Sequence, residues 1–151
     1  MNTLVVLLGP TGVGKTALSL DIARHIGSAV LSADSRQLYK DLVIGTAAPT
    51  ADERAAVTHH LVGLLELTDY YSASRFEEDT LSLLQTLFKR HRAVLMTGGS
   101  MMYIDAVCKG IDNIPTVTPD IRKAVWNEYE QGELAPLLDE LKQSDPPTAR
   151  T

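Results

Sequence analysis

The sequence predicts an α/β protein built on a parallel sheet, and three observations carry that prediction. Three short apolar runs, "TLVVLL" (3–8), "AVLSAD" (29–34) and "AVLMTGG" (93–99), have the continuous pattern of strands buried on both faces. Segments with helical apolar spacing alternate with them. A glycine-rich loop, "GPTGVGKT", stands between the first strand and the first helix. Such alternation builds three layers, with helices covering the two faces of the sheet.

Taken in order, "ALSLDIARHIG" places Leu18, Ile22 and Ile26 at helical spacing before Gly27 stops the run. After the second strand, residues 35–60 are expected to be mostly loop and short helix. "SASRFEEDTLSLLQTLFKRH" (72–91) predicts a helix with a Ser74-to-Glu77 capping box and an apolar stripe of Phe76, Leu83, Leu84 and Leu87. "SMMYIDAVCKG" is the helix after the third strand. Beyond "IDNIPTVTPD" the strand pattern does not return. Thr118 and Pro119 read as a cap and a first-turn proline, opening an amphipathic helix over 119–132, and "ELAPLLDELKQS" reads as a shorter one. The expected division is a core over 1–117 and a helical segment over 118–151.

Composition narrows the function. With 44% apolar and 22% charged residues the chain is an ordinary folded protein rather than a disordered one. A net charge of -5 argues against a dedicated nucleic-acid surface, although a local basic patch is compatible with it. A single cysteine, Cys108, excludes an intrachain disulfide and a multi-cysteine metal site, and fits a reducing cytosol. Its apolar neighbours suggest a packed thiol rather than a nucleophile. No apolar run reaches the roughly 20 residues of a membrane span, and "MNTLVVLLGP" lacks the basic flank of a signal peptide. His59 and His60 are adjacent, so on a strand they face opposite ways, which favours packing or hydrogen bonding over metal binding. "KRHR" (89–92) reads as a charge cluster at a helix carboxyl end.

The chemistry begins at the glycine-rich loop. Gly9-Pro10-Thr11-Gly12-Val13-Gly14-Lys15-Thr16 satisfies G-x-x-x-x-G-K-[ST] in full, in the strand-then-helix context the motif requires. Its glycines turn backbone N–H groups onto phosphate oxygens, Lys15 neutralises them, and the Thr16 hydroxyl can ligate Mg²⁺. The helix after the loop adds its positive end. This specifies a di- or triphosphate and leaves the reaction open.

The second strand ends in Asp34, followed by Ser35, Arg36 and Gln37. Reactive groups of a parallel sheet gather at the carboxyl ends of its strands, where the phosphate loop, Asp34 and the Gly98-Gly99-Ser100 turn all lie. Three roles compete for Asp34: a Mg²⁺ ligand in a small-molecule kinase, a general base, or a plain cap for "SRQLYK".

A wider pattern distinguishes among them. "GPTGVGKT", "ADSRQLYKDLVIGTAAPT", "HHLVGLLEL", "YSASRFEED", "TGGSMMYIDAVCKGI" and "TPDIRK" follow one another in the order and spacing of one family. Over residues 3–125 the chain resembles the amino-terminal half of the tRNA dimethylallyltransferases, also called tRNA isopentenyltransferases. The phosphate loop is widely shared; the D-S-R-Q-[LV]-Y…IGTA-P block is specific.

The resemblance implies a P-loop NTPase-like three-layer core followed by the start of a helical insert domain, in a chain expected to be truncated because family members are longer. It implies transfer of a dimethylallyl group from its diphosphate to N6 of the adenine 3′ of the anticodon in tRNA, with Mg²⁺ assisting. Asp34 would be the base. Gly9 to Thr16 would hold diphosphate, with Thr11 in the substrate-contacting stretch. Ser35, Arg36 and Gln37 would contact tRNA around an extruded base. Ser100 stands where the family usually has Thr, keeping a hydroxyl for catalysis or a tRNA contact. Ser100 can alternatively be read as a helix cap and Arg122 as a solvated residue; by the resemblance Arg122 is a tRNA contact. A cytoplasmic monomer without membrane attachment is expected. Two other readings stay open: a small-molecule kinase of the same fold, and a non-catalytic nucleotide-binding fragment.

Overall fold

The computed structural model describes residues 1–10, 12–111, 117–132 and 134–148. The chain divides into two compact units, residues 1–112 and 113–151.

The first unit holds a parallel sheet of β1 (Thr3–Leu8), β2 (Val30–Ser32), β3 (His59–His60) and β4 (Ala93–Gly98) in the order β1-β4-β2-β3. β4 therefore lies between the strand that feeds the phosphate loop and the strand that feeds Asp34. Leu8 pairs with Gly98 in one ladder, and Ser32 pairs with Thr97 in the other. This register brings the three carboxyl ends level.

Alternation along the strands feeds two cores. Leu31, Val94 and Met96 point to one face, against Phe76 and Leu84 of α3 (Ala73–Leu87) and Tyr103 and Ile104 of α4 (Met101–Lys109). Val30 and Leu95 point to the other, against Leu20 and Ala23 of α1 (Lys15–Ile26). The sheet is thus covered on both sides, as the runs of apolar residues require. The Phe76 and Tyr103 rings stack at 4.4 Å. Phe76 is fully buried, so its truncation to alanine costs roughly 3–5 kcal/mol.

Several local expectations are corrected. β1 is only half-buried because it forms one end of the sheet among the described residues. α1 begins at Lys15 rather than Ala17, and its buried residues are Ser19, Leu20 and Ala23, leaving Leu18 exposed. α3 is capped by Ser72, whose hydroxyl accepts from the Arg75 N–H at 3.2 Å. Ser74 lies inside the helix, and Glu77 instead accepts from the Ile111 N–H at 3.2 Å, tying α3 to the end of α4. The capping box forms elsewhere, at Thr50 and Glu53, opening the short helix α2 (Ala51–Ala56). Cys108 is exposed rather than packed: it falls in the last turn of α4, after the part of the helix that buries Tyr103, Ile104 and Ala106.

The second unit contains α5 (Pro119–Gly132) and α6 (Leu134–Ser144), with helical bonding in α5 beginning at the Thr118 carbonyl, which accepts from the Arg122 N–H. Neither helix buries a residue: Ile121, Val125, Trp126, Tyr129, Leu134 and Leu138 are all exposed. Among the described residues no helix is long and apolar enough to cross a membrane.

Candidate active site

The site is built at the carboxyl edge of the sheet. After β1 the backbone turns through Gly12 and Gly14, at φ 88° and 87°, in the left-handed region that glycine alone enters without strain. An added Cβ at either position meets nothing within 4 Å. The requirement for glycine is therefore one of backbone conformation, not of space. Gly14 caps α1 without a side-chain bond and the first turn carries no acidic residue, so Lys15 and Thr16 open the helix with backbone N–H groups turned toward the loop. Lys15 Nζ donates to the Pro10 carbonyl at 2.5 Å, folding the ammonium across the loop. Thr11 lies outside the described residues.

The facing wall comes from the end of β2. The Ala33 N–H donates to the Thr97 carbonyl at 2.8 Å, and the Ser100 N–H donates to the Ala33 carbonyl at 3.1 Å. Gly98 sits under this crossing: a Cβ there would stand 2.1 Å from the Ala33 oxygen. Only a residue without a side chain lets β4 turn beside Ala33, and this places the next residue, Asp34, over the cavity. Asp34 Oδ1 accepts from the Arg36 N–H at 2.9 Å and the Gln37 N–H at 3.4 Å, closing a turn. Among the described residues nothing is bonded to Oδ2. The carboxylate thus caps a turn with one oxygen, and Asp34 also lines the cavity.

A cavity of about 340 Å³ joins the two walls. Gly12, Gly14, Lys15 and Thr16 line one side, and Asp34 and Gln37 the other. Gly9, Pro10 and Val13 complete the loop without lining the cavity, and neither Ser35, Arg36 nor Ser100 lines it. The Ser100 hydroxyl accepts from the Ser35 N–H at 2.9 Å and donates to the Ser35 hydroxyl at 3.2 Å. It makes no bond that caps α4. Arg36 is exposed beside the cavity. Arg122 is exposed on α5, in the second unit.

Residues that the sequence did not place in the site also line the cavity: Ser32, Thr46, Ala47, Pro49, His59 and Thr97. Thr46, Ala47 and Pro49 belong to the "IGTAAP" block, whose specificity signalled that it mattered without saying how. His59 does hydrogen-bond, as expected: its Nδ1 must carry a proton, because its partner at 2.8 Å is the Val57 carbonyl. His60 lines a separate groove with Arg24, Arg90 and His91, so the pair does face opposite ways.

An anion cradle, a carboxylate with one oxygen unbonded among the described residues, and a cavity between them suit displacement of a phosphate leaving group by a nucleophile held near Asp34. The family model for IPP transferase matches residues 37–151. The chain belongs to the IPP transferase family. It is 66% identical over 146 residues to tRNA dimethylallyltransferase 2 of Parabacteroides distasonis, covering 97% of this chain and 49% of that one. It is 58% identical to tRNA dimethylallyltransferase 1 of Phocaeicola vulgatus, covering 96% of this chain and 48% of that one. The chain spans about half the length of the curated relatives it matches. Among solved structures, the tRNA isopentenylpyrophosphate transferase of Bacillus halodurans superposes with a TM-score of 0.72 at 30% identity, covering 99% of this chain and 50% of that one. A eukaryotic dimethylallyltransferase acting on tRNA gives 0.80 at 25% identity, with 99% and 37% covered. These IPP transferase relatives do not favour the kinase reading.

Proposed function

We propose that this IPP transferase chain forms the diphosphate-binding and base-bearing part of an enzyme that moves a dimethylallyl group from dimethylallyl diphosphate to N6 of the adenine 3′ of the anticodon in tRNA. The observation that carries the reading is that the phosphate loop and Asp34 line one cavity.

In this reaction the N6 lone pair forms a bond to the allylic carbon while the carbon–oxygen bond to diphosphate breaks. The leaving diphosphate takes the bonding electrons, and the amine proton passes to Asp34. Gly12, Gly14, Lys15 and Thr16 stabilise the charge that grows on the departing diphosphate, which is where a phosphate loop lowers the barrier. An exocyclic amine is a poor nucleophile, so a carboxylate oxygen without a partner among the described residues is well suited to receive its proton. The turn closed by Oδ1 holds Asp34 in place, and Ser100, through Ser35, fastens that turn to the end of β4. The match to family motifs supports Ser35, Arg36, Gln37, Ser100 and Arg122 as tRNA contacts, with the target base extruded because N6 is not accessible inside a stack.

The residues also fit Mg²⁺. Among the described residues no group of three or more His, Cys, Asp or Glu side chains is available for a metal. Thr16 and Thr97 both line the cavity, and the buried Thr97 Oγ1 has no hydrogen-bond partner among the described residues. One or two hydroxyls beside phosphate oxygens and water suit Mg²⁺, which seldom takes an all-protein cage. When bound, it would add positive charge at the leaving group. Residues 118–151 are proposed to begin a helical insert domain, and a tRNA substrate together with a single cysteine suits a cytoplasmic enzyme, proposed to act as a monomer.

The test is incubation with tRNA, Mg²⁺ and labelled dimethylallyl diphosphate. It is run on this chain and on the chain joined to the carboxyl-terminal half of the Parabacteroides distasonis relative. Asp34→Ala should lower transfer by about 10²–10⁴-fold while leaving diphosphate binding within a few-fold. Transfer retained in that variant removes Asp34 from the mechanism. No transfer from either version removes the reading.

A further inference from the structure

Gln37 makes three side-chain hydrogen bonds that together span the cavity wall. Its Oε1 accepts from the Ser32 hydroxyl at 2.8 Å, at the end of β2. Its Nε2 donates to the carbonyls of Thr46 and Ala47, both at 3.0 Å. Both amide hydrogens are used, and the partners fix which way the amide faces, since a carbonyl only accepts. Ser32 is buried, so one end of this bridge is anchored in the sheet.

The other end holds an otherwise weakly supported loop. Residues 42–49 contain no helix or strand, and Val43 and Ile44 are exposed. Ala47 stands at φ 50°, in the left-handed region that side-chain-bearing residues seldom enter. Such a conformation persists only where its surroundings impose it. Thr46 Oγ1 donates to the Leu42 carbonyl within the loop, which closes the loop on itself without attaching it to the sheet. The Gln37 amide makes that attachment, beside Thr46, Ala47 and Pro49 where they line the cavity.

We propose that Gln37 is a positioning residue that clamps the 42–49 loop to β2, fixing the wall that receives the organic group carried on the bound diphosphate. The proposal rests on the reading of the cavity given above. It gives the Gln37 amide a task inside the chain, besides any part in meeting tRNA. The phosphate cradle does not depend on it, so binding of phosphate alone and of a phosphate bearing an allylic group should respond differently when the clamp is broken.

Gln37→Glu is the sharpest probe: it keeps size and replaces the donor that faces two carbonyls with an anionic oxygen. Hydrogen-exchange protection of residues 42–49, corrected for intrinsic rates, should fall at least about fivefold, with α1 and β4 unchanged. Protection should return in part as the pH is lowered toward about 4, where the introduced carboxyl group, once protonated, can again donate to one carbonyl. Calorimetric titration should show dimethylallyl diphosphate binding weakened at least about fivefold and inorganic diphosphate binding unchanged. Ser32→Ala, a milder cut at the other end, should give the same pattern at smaller size. Unchanged protection of 42–49 in both variants overturns the clamp, whatever the ligands do. Lost protection with unaltered affinity for dimethylallyl diphosphate overturns the role of the loop as its wall. If the wild-type chain binds neither ligand, the functional reading fails, and the exchange measurement still decides on the clamp.

Discussion

The Ser100 hydroxyl accepts a hydrogen bond from the Ser35 backbone N–H at 2.9 Å, across a sequence separation of 65 residues. It joins the turn after β4 to the residue next to Asp34, and the same hydroxyl donates to Ser35 Oγ. Removing it leaves a half-buried N–H without its partner. Ser100→Ala should lower the unfolding free energy by about 1–2 kcal/mol, while Ser100→Thr, which keeps the hydroxyl, should stay within about 0.5 kcal/mol. Urea unfolding midpoints of the three proteins provide the check. An alanine variant as stable as the threonine one would show that this link does not hold the turn.

His60 supplies a pH-dependent prediction. Burial, followed by the neighbouring His59, pushes its pKa below the ordinary imidazole value. Its groove is lined also by Arg24, Arg90 and His91 and, among the described residues, by no carboxylate that would favour its cation. The folded state therefore binds the proton less well than the unfolded chain. Its contribution is fully present above the unfolded value near 6.5 and is lost as the pH falls from there through the lower folded value. Urea midpoints should decline between about pH 7 and 5.5, and His60→Gln should flatten that decline. An identical slope in the variant would place the acid sensitivity elsewhere.

Much of this arrangement is legible in the sequence because its signals are local. The phosphate loop needs only its own glycines, Lys15 and the flanking strand and helix. Asp34 ends an apolar run, which puts it at the carboxyl edge of any parallel sheet. What lies beyond reach is set by distant partners. The sequence does not reveal that β4 separates β1 from β2, because strand order depends on how crossovers pack. The two-residue strand at His59 and His60 exists only because Val30 and Leu31 are there to pair with it. The pattern of Ser or Thr three residues before Glu occurs at both 50–53 and 74–77. Only tertiary context decides that the first is a cap while Glu77 turns to Ile111. Gln37 reads in the sequence as a substrate contact alone, because its bonds to Thr46 and Ala47 require the loop to fold back.

Lys15 tests the anion cradle. Its ammonium rests on the Pro10 carbonyl, a contact between exposed groups that adds little to folding. Against a diphosphate the same ammonium makes charge-assisted bonds, worth about 1.5–3 kcal/mol each. Lys15→Met should therefore weaken inorganic diphosphate binding by about 10- to 100-fold and leave the urea midpoint nearly unchanged. Calorimetry and unfolding on the same sample separate the two effects. Unchanged affinity would mean that the loop does not bind phosphate through Lys15.

Gly98 links the two walls of the site, and its substitution should fail for a reason of space. The position does not need a left-handed backbone. It needs room, because an added Cβ would lie 2.1 Å from the Ala33 oxygen and 2.4 Å from its carbonyl carbon. Those are backbone atoms held by the bonds from Ala33 to Thr97 and from Ser100 to Ala33, so no flexible side chain can move aside. Gly98→Ala must push the end of β2 away from β4 and carry Asp34 with it. The cost should be about 1–3 kcal/mol or more, the range for overpacking a closed interior. Gly99→Ala is the control, since the nearest atom to its added Cβ is the Gly9 oxygen at 3.9 Å. If strand separation is the cause, Gly98→Ala should lower both the urea midpoint and transfer to tRNA, and Gly99→Ala should leave stability within about 0.5 kcal/mol. Equal behaviour of the two alanines would show that the Gly98–Ala33 approach does not set the position of the carboxylate.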